Sequence, residues 1–138
     1  NDIYGDDLNN ALNLKAYSFA SYYAENISGK DFKLHPLPNL AQTSSINNII
    51  IEDFDQDHNL DILISGNLYA SEIETPRNDA GIGLFLKGNG SGEFKPQTIN
   101  QSGFYAPFDA KDMKKIKIGK ANAILIGNNN SYIQVFQY

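Results

Sequence analysis

Two apolar runs in the middle of the chain flank a strongly polar stretch. Residues 49–51 are three isoleucines, and residues 62–64 are isoleucine, leucine and isoleucine. Short and nearly continuous apolar runs are typical of strands that are buried on both faces. We therefore predict strands over residues 46–54 and 60–66, joined by a polar loop at residues 53–61.

Weaker patterns predict further strands on both sides of this pair. Alternating apolar residues at Ile82, Leu84 and Leu86 predict a strand, and the three glycines of residues 88–92 predict the turn that follows it. Long polar loops are predicted at residues 67–80 and 101–108. The remaining predicted strands begin near residue 17 and cover residues 32–37, 94–99, 114–118, 123–126 and 132–136.

Residues 1–20 predict a short helix and a lead-in to the first strand. Asp6 and Asp7 are suited to cap a helix, and Leu8, Ala11 and Leu12 follow at helical spacing. From about residue 17 the aromatic residues and the absence of helical periodicity favour a strand instead.

Two separate segments of the sequence recur at one spacing. Residues 32–33 match residues 94–95, and residues 62–64 match residues 124–126, each after 62 positions. A constant period indicates a repeat architecture, and units of about four antiparallel strands are the blades of a β-propeller. We therefore predict a mainly β chain of antiparallel propeller-type blades with a short N-terminal helix.

The period divides the chain into parts of three blades. The predicted parts are residues 1–20 (helix and lead-in), 21–45 (the end of one blade), 46–100 (a complete blade) and 101–138 (a partial terminal blade without a metal loop). A closed ring takes about four to eight blades. Residues 1–138 are therefore predicted to be a single propeller fragment, whose unpaired blade edges offer a route to self-association.

Composition and charge narrow the classes of partner. The formal net charge is -5, and the sequence contains no cysteine. Nucleic acid is not predicted as a partner, because phosphate binding needs concentrated Lys and Arg, and the lysines of residues 111–120 are interpreted as a solvated strand face. No apolar run is long enough to span a membrane. Because the sequence begins at Asn1 without Met, we expect a processed product or a segment of a longer protein.

The polar loop carries the most specific chemistry in the sequence. Asp53, Asp55 and Asp57 occupy alternate positions, and Asp61 follows at the ninth. Ca²⁺ takes about six to eight oxygen ligands from carboxylates, carbonyls and water. We predict that these four carboxylates and the backbone carbonyl of Asn59 hold one structural Ca²⁺. The alternative is a solvated acidic turn, because aspartate also favours turns.

An EF-hand shares the opening Asp-x-Asp-x-Asp but is excluded at two positions. His58 stands where that loop needs glycine, and Ile64 stands where it needs a bidentate glutamate. Magnesium is less favoured than calcium because it resists a cage built only of protein oxygens. At the repeat offset, the four aspartates are replaced by Lys115, Lys117, Gly119 and Ala123. The chain is therefore predicted to hold one metal site.

Two motifs of the chain resemble the FG-GAP or VCBS repeat, the blade of integrin-α-like β-propellers. The first is the Asp-x-Asp-x-Asp-x-x-x-Asp pattern of residues 53–61, and the second is the glycine-rich hairpin of residues 84–94, which ends in Phe. The calcium ligands that the resemblance implies are Asp53, Asp55, Asp57, Asn59 and Asp61. The family has glycine where this chain has His58, so a positive φ there is expected to add strain.

The resemblance implies the C-terminal blades of a larger bacterial surface or secreted protein, and so an extracytoplasmic location. We expect a non-catalytic calcium-binding module that serves as a scaffold or as a binding surface for an unidentified protein or glycan. Two alternatives stay open. Part of a polysaccharide-acting enzyme would use Glu72 and Asp79, and an adhesion module would use Phe104, Tyr105 and Phe108 as exposed anchors.

Overall fold

Nine β-strands form three antiparallel sheets in the computed structural model, which describes residues 3–138 and, within them, every side chain except those of Asp7 and Leu8. The strands are β1 (Tyr22–Ile27), β2 (Asp31–Pro36), β3 (Asn48–Glu52), β4 (Asp61–Ser65), β5 (Leu84–Gly88), β6 (Phe94–Gln97), β7 (Ala110–Ile118), β8 (Ala121–Asn128) and β9 (Gln134–Gln137). The sheets are β1–β2, β3–β4–β5–β6 and β7–β8–β9. The prediction of a mainly β chain with antiparallel strands is confirmed.

Helical structure is limited to short segments. A 3-10 helix covers Asn39–Gln42, and a four-residue α-helix covers Ile99–Ser102 inside a stretch that was predicted to be strand and loop. Thr98 and Gln101 form a reciprocal capping box, which satisfies backbone donors at the start of this helix.

The prediction of an N-terminal helix is wrong about its type and extent. Gly5–Asn10 forms a 3-10 helix of six residues, and residues 12–20 have no regular secondary structure. Leu12 is 84% exposed, so the predicted apolar stripe has no surface to pack against. Short helices without tertiary packing are marginal in water, which explains why this one stops early. The predicted roles of the Asp7 and Leu8 side chains lie outside the described residues.

The two central strands differ in burial. All five residues of β4 are buried, as predicted for a strand covered on both faces. In β3, Ile50 is buried, whereas Ile49 and Ile51 are 58% and 56% exposed. Successive residues of a strand point to opposite faces. The prediction of two covered faces is therefore wrong for β3, because it is an edge strand and only its Ile50 face packs against the sheet that follows.

Two hydrophobic clusters cover the two faces of the central sheet. On one face, Ile62, Ile64 and Leu86 pack with Leu37 and Ala41 from the segment after β2. The other cluster joins the central sheet to the third sheet through Ile50, Leu63, Phe104, Ala106, Ala110, Met113, Ile124 and Ile126. The acidic loop therefore connects two strands of a sheet that has a core on each side.

A buried asparagine ties together three segments beyond the end of β4. The Asn67 side chain is fully buried, and its Nδ2 donates to the carbonyls of Gly81 at 2.9 Å and Pro107 at 3.0 Å. Its Oδ1 accepts hydrogen bonds from the Gly81 N–H at 2.9 Å and the Ser44 hydroxyl at 2.7 Å. The predicted loop at residues 67–80 is present, but its first residue belongs to the interior.

A buried carboxylate opens the third sheet. The Asp109 side chain is fully buried, the Lys111 ammonium lies 2.6 Å from its Oδ1, and Asn129 donates to its Oδ2 at 3.2 Å. Burial raises the pKa of Asp109, but the bonds with Lys111 and Asn129 lower it by more, so the net shift is downward. Asn129 stands 62 positions after Asn67. Two asparagines that are 62 positions apart therefore each bind at the end of a loop.

Candidate metal centre

The acidic loop leaves β3 after Glu52 and enters β4 at Asp61. Two non-glycine residues in the loop have positive φ, Gln56 at +61° and His58 at +70°. Left-handed backbone costs a non-glycine residue about 1–2 kcal/mol. The strain expected at His58 is therefore present. The sequence carried no signal for Gln56, since glutamine has no preference for this region. The loop needs interactions that hold it in this shape.

Asp53 supplies the first of these interactions. Its Oδ1 accepts a hydrogen bond from the backbone N–H of Asp57 at 3.0 Å, and its Oδ2 accepts one from the N–H of His58 at 2.9 Å. The Asn59 N–H donates in turn to Asp57 Oδ1 at 2.9 Å. The loop therefore folds around its own carboxylates, and Asp53 is both a candidate ligand and a structural part of the loop.

Asp61 fixes the loop to the neighbouring strand. Its side chain is fully buried, and it accepts hydrogen bonds from the Phe54 N–H at 3.1 Å and the Gly88 N–H at 2.8 Å. Burial raises the pKa of Asp61; these two hydrogen bonds oppose the rise, and the charges of Asp55 and Asp57 add to it. A buried carboxylate near two others is a strained arrangement that a cation would relieve.

Three of the four predicted carboxylates converge. One oxygen each from Asp53, Asp55 and Asp61 lies within 4.8 Å of the others. Oxygens at about 2.3–2.6 Å from one Ca²⁺ are at most about 5 Å apart. The donor set therefore fits a single hard cation. Asp57 stands outside this group of three; its Oδ2 lies 2.9 Å from Lys87 Nζ, and its Oδ1 accepts the hydrogen bond from Asn59.

Lys87 is the residue of this site that the sequence prediction missed. Its Nζ contacts Asp55 Oδ2 and lies 2.9 Å from Asp57 Oδ2. The hydrogen bonds to Asp55 and then to Asp57 raise the pKa of Lys87, and the hydrogen bond from Lys87 is the main cause that lowers the pKa of Asp57. The residue after Lys87 in β5 is Gly88, whose N–H donates to Asp61. The position of Lys87 in β5 therefore places its ammonium beside the loop.

The glycine-rich turn after β5 packs closely against the loop. A Cβ built on Gly88 would lie 2.0 Å from the Leu60 carbonyl oxygen, and one built on Gly90 would lie 2.3 Å from Asn59 Oδ1. Side chains at these two positions would push the turn away from the loop. The side chain of Asn59 therefore lies against the turn. Its role as a carbonyl ligand stays a prediction.

The carboxylates of the enzyme alternative lie on the long loop after β4. Glu72 is exposed, and its carbonyl accepts a turn hydrogen bond from Thr75 at 3.0 Å. Asp79 is paired with Arg77 at 2.7 Å, and the Arg77 guanidinium lies 4.6 Å from the centre of the Tyr69 ring. These contacts give both acids ordinary surface surroundings.

The aromatic residues of the adhesion alternative are unequally exposed. Phe104 is 5% exposed and belongs to the core between the second and third sheets, where its ring lies 4.8 Å from that of Phe136. Phe108 is partly buried, and Tyr105 is 48% exposed. Phe104 is therefore not the exposed anchor that the adhesion alternative requires, because its ring fills the space between two stacked sheets.

Comparisons with protein-family models, with curated proteins and with solved structures found no match to this chain. The resemblance to the FG-GAP or VCBS repeat therefore stays a prediction from its motifs. Within residues 3–138, no helix is long and apolar enough to cross a membrane.

Proposed function

We propose that the chain is a non-catalytic module of β-propeller-type blades whose acidic loop binds one structural Ca²⁺. The observation that carries this proposal is the convergence of Asp53, Asp55 and Asp61 between the first two strands of the four-stranded sheet. An oxygen-only donor set of this kind suits calcium better than a softer metal, which prefers nitrogen or sulfur ligands.

The order of the strands supports the assignment to blades. The central sheet is an antiparallel meander in the order β3–β4–β5–β6. β5 begins 62 positions after β1, and β7 begins 62 positions after β3, which is the period of the sequence. On this assignment β1 and β2 are the last two strands of one blade, and β7, β8 and β9 are the first three strands of the next.

The ion would link the acidic loop to the central sheet. Asp61 is anchored by Gly88 in β5, and Asp53 holds the backbone of the loop, so a cation shared by both would join the loop to two strands. The module would then serve as a scaffold or binding surface of a larger extracytoplasmic protein. This location follows from the motif resemblance, and the partner is an unidentified protein or glycan.

Thermal unfolding with calcium and with a chelator tests the proposal. At free calcium one hundred times above Kd, binding contributes about 2.7 kcal/mol. For a domain of this size that contribution raises Tm by roughly 5–15 °C. Asp55→Asn removes a charged ligand and should abolish most of the rise, whereas Asp79→Asn, which changes an exposed acid outside the loop, should keep it. A wild-type Tm that is unchanged up to about 10 mM calcium, above the Kd of weak extracellular modules, would refute the calcium site.

A further inference from the structure

The side chain of Lys87 reaches the loop that is proposed to bind calcium. Its Nζ contacts Asp55 Oδ2 and lies 2.9 Å from Asp57 Oδ2. Lys87 belongs to β5, and the next residue, Gly88, donates its N–H to Asp61 at 2.8 Å. The ammonium is therefore attached to a strand that the loop itself binds, which keeps it near the carboxylates.

Asp55 belongs to two arrangements at once. It supplies one of the three converging oxygens of the candidate metal centre, and it is a partner of Lys87. A divalent cation held by Asp55 would lie within a few ångströms of the ammonium, and like charges at that distance repel. The metal and the lysine are therefore competitors for one carboxylate.

We propose that Lys87 is a built-in counter-cation of the acidic loop, which holds Asp55 and Asp57 together in calcium-free protein and gives up Asp55 when calcium binds. The second half of this statement rests on the proposed calcium site, and the first half does not. The loop then keeps its folded shape without metal. Calcium binds more weakly than it would to the same loop without the lysine, because part of its binding free energy is used to break the Lys87–Asp55 ion pair.

The register of the central sheet supplies a matched control. Lys87 is paired across the sheet with Lys95 in β6, which is exposed. Lys87→Met and Lys95→Met therefore make the same change of charge and length on adjacent strands. Only the first of them removes an ammonium that contacts the loop.

The first measurement is the Tm of both variants in chelator. Lys87→Met is expected to melt roughly 3–5 °C below Lys95→Met, because the loop carboxylates lose their counter-charge. Adding Asp55→Asn to Lys87→Met should recover most of this gap, since the repulsion is then reduced. Equal melting of the two lysine variants in chelator would overturn the proposal.

The second measurement is calcium binding by titration calorimetry. Lys87→Met is expected to bind calcium about tenfold more tightly than the wild type. Lys95→Met should bind as the wild type does. Calcium binding that is equally tight or weaker in Lys87→Met would overturn the competition. If no variant binds calcium but the gap in chelator is present, the proposed calcium site fails and the counter-cation role of Lys87 stands.

Discussion

Replacing the buried Asn67 with alanine is expected to destabilise the fold by about 3–5 kcal/mol. The side chain takes part in five hydrogen bonds that join residues around Ser44, Gly81 and Pro107. Alanine would remove the Asn67 partner of both the Gly81 N–H and the Gly81 carbonyl, whereas the Pro107 carbonyl keeps its hydrogen bond from the Tyr69 hydroxyl. Each unsatisfied buried group costs about 1–3 kcal/mol. The truncated side chain also leaves a small cavity, which adds to the loss.

Urea unfolding followed by far-ultraviolet circular dichroism measures this loss, because the chain has no tryptophan to serve as a fluorescence probe. With a slope of about 2 kcal/mol per molar urea, the midpoint should fall by roughly 1.5–2.5 M. Asn122→Ala, at an exposed position of β8, is the matched control and should change the stability by less than about 0.5 kcal/mol. If Asn67→Ala lost no more stability than this control, the hydrogen bonds of Asn67 would not hold the three segments together.

Two further substitutions test the packing of the loop and the buried charge of the third sheet. Gly88→Ala should cost about 3 kcal/mol or more in urea unfolding, because its Cβ would lie 2.0 Å from the Leu60 carbonyl oxygen. Gly29→Ala meets no atom within 4 Å and should show only the backbone strain of its φ of +74°, about 1–2 kcal/mol. The pKa of Asp109 is lowered in the folded state, so its stabilisation is present above its unfolded pKa of about 3.8 and is lost as pH falls below that value. The stability difference between the wild type and Asp109→Asn should therefore shrink between about pH 5 and pH 2, and a constant difference would contradict the role of the Lys111 pair.

The strands around the loop were predictable because short runs of neighbouring apolar residues specify them. The apolar runs of residues 49–51 and 62–64 lie in β3 and β4, and the observed bounds differ from the predicted ones by one or two residues at each end. The exposure of Ile49 and Ile51 was not predictable, because it depends on which sheet covers β3. A run of apolar residues specifies a strand but does not specify how many of its faces are covered.

The contacts of Lys87 and Asn67, which the sequence did not predict, depend on pairing between distant residues. Lys87 meets Asp55 across 32 positions, and this contact follows from the antiparallel register of β4 and β5. Asn67 binds Pro107 across 40 positions, and a polar residue after a strand is by itself typical of a loop. The 62-residue spacing offered one usable signal for the second case, since an asparagine, Asn129, stands 62 positions after Asn67. No comparable signal marked Lys87, because the residue 62 positions earlier is Glu25.

The third sheet joins its first two strands, β7 and β8, by a simpler connection. There β7 runs on to Ile118, β8 begins at Ala121, and the turn between them uses Gly119 at a φ of +64°. The central sheet instead ends β3 at Glu52 and begins β4 at Asp61. Its loop holds two non-glycine residues at positive φ and three aspartates, and Asp61 adds a fourth at the start of β4. As a connection alone, this loop is less stable than the tight turn, because it combines backbone strain with repulsion between carboxylates. A loop of that kind needs a compensating positive charge. Lys87 supplies it to Asp55 and Asp57, and the proposed cation would supply it to Asp53 and Asp61.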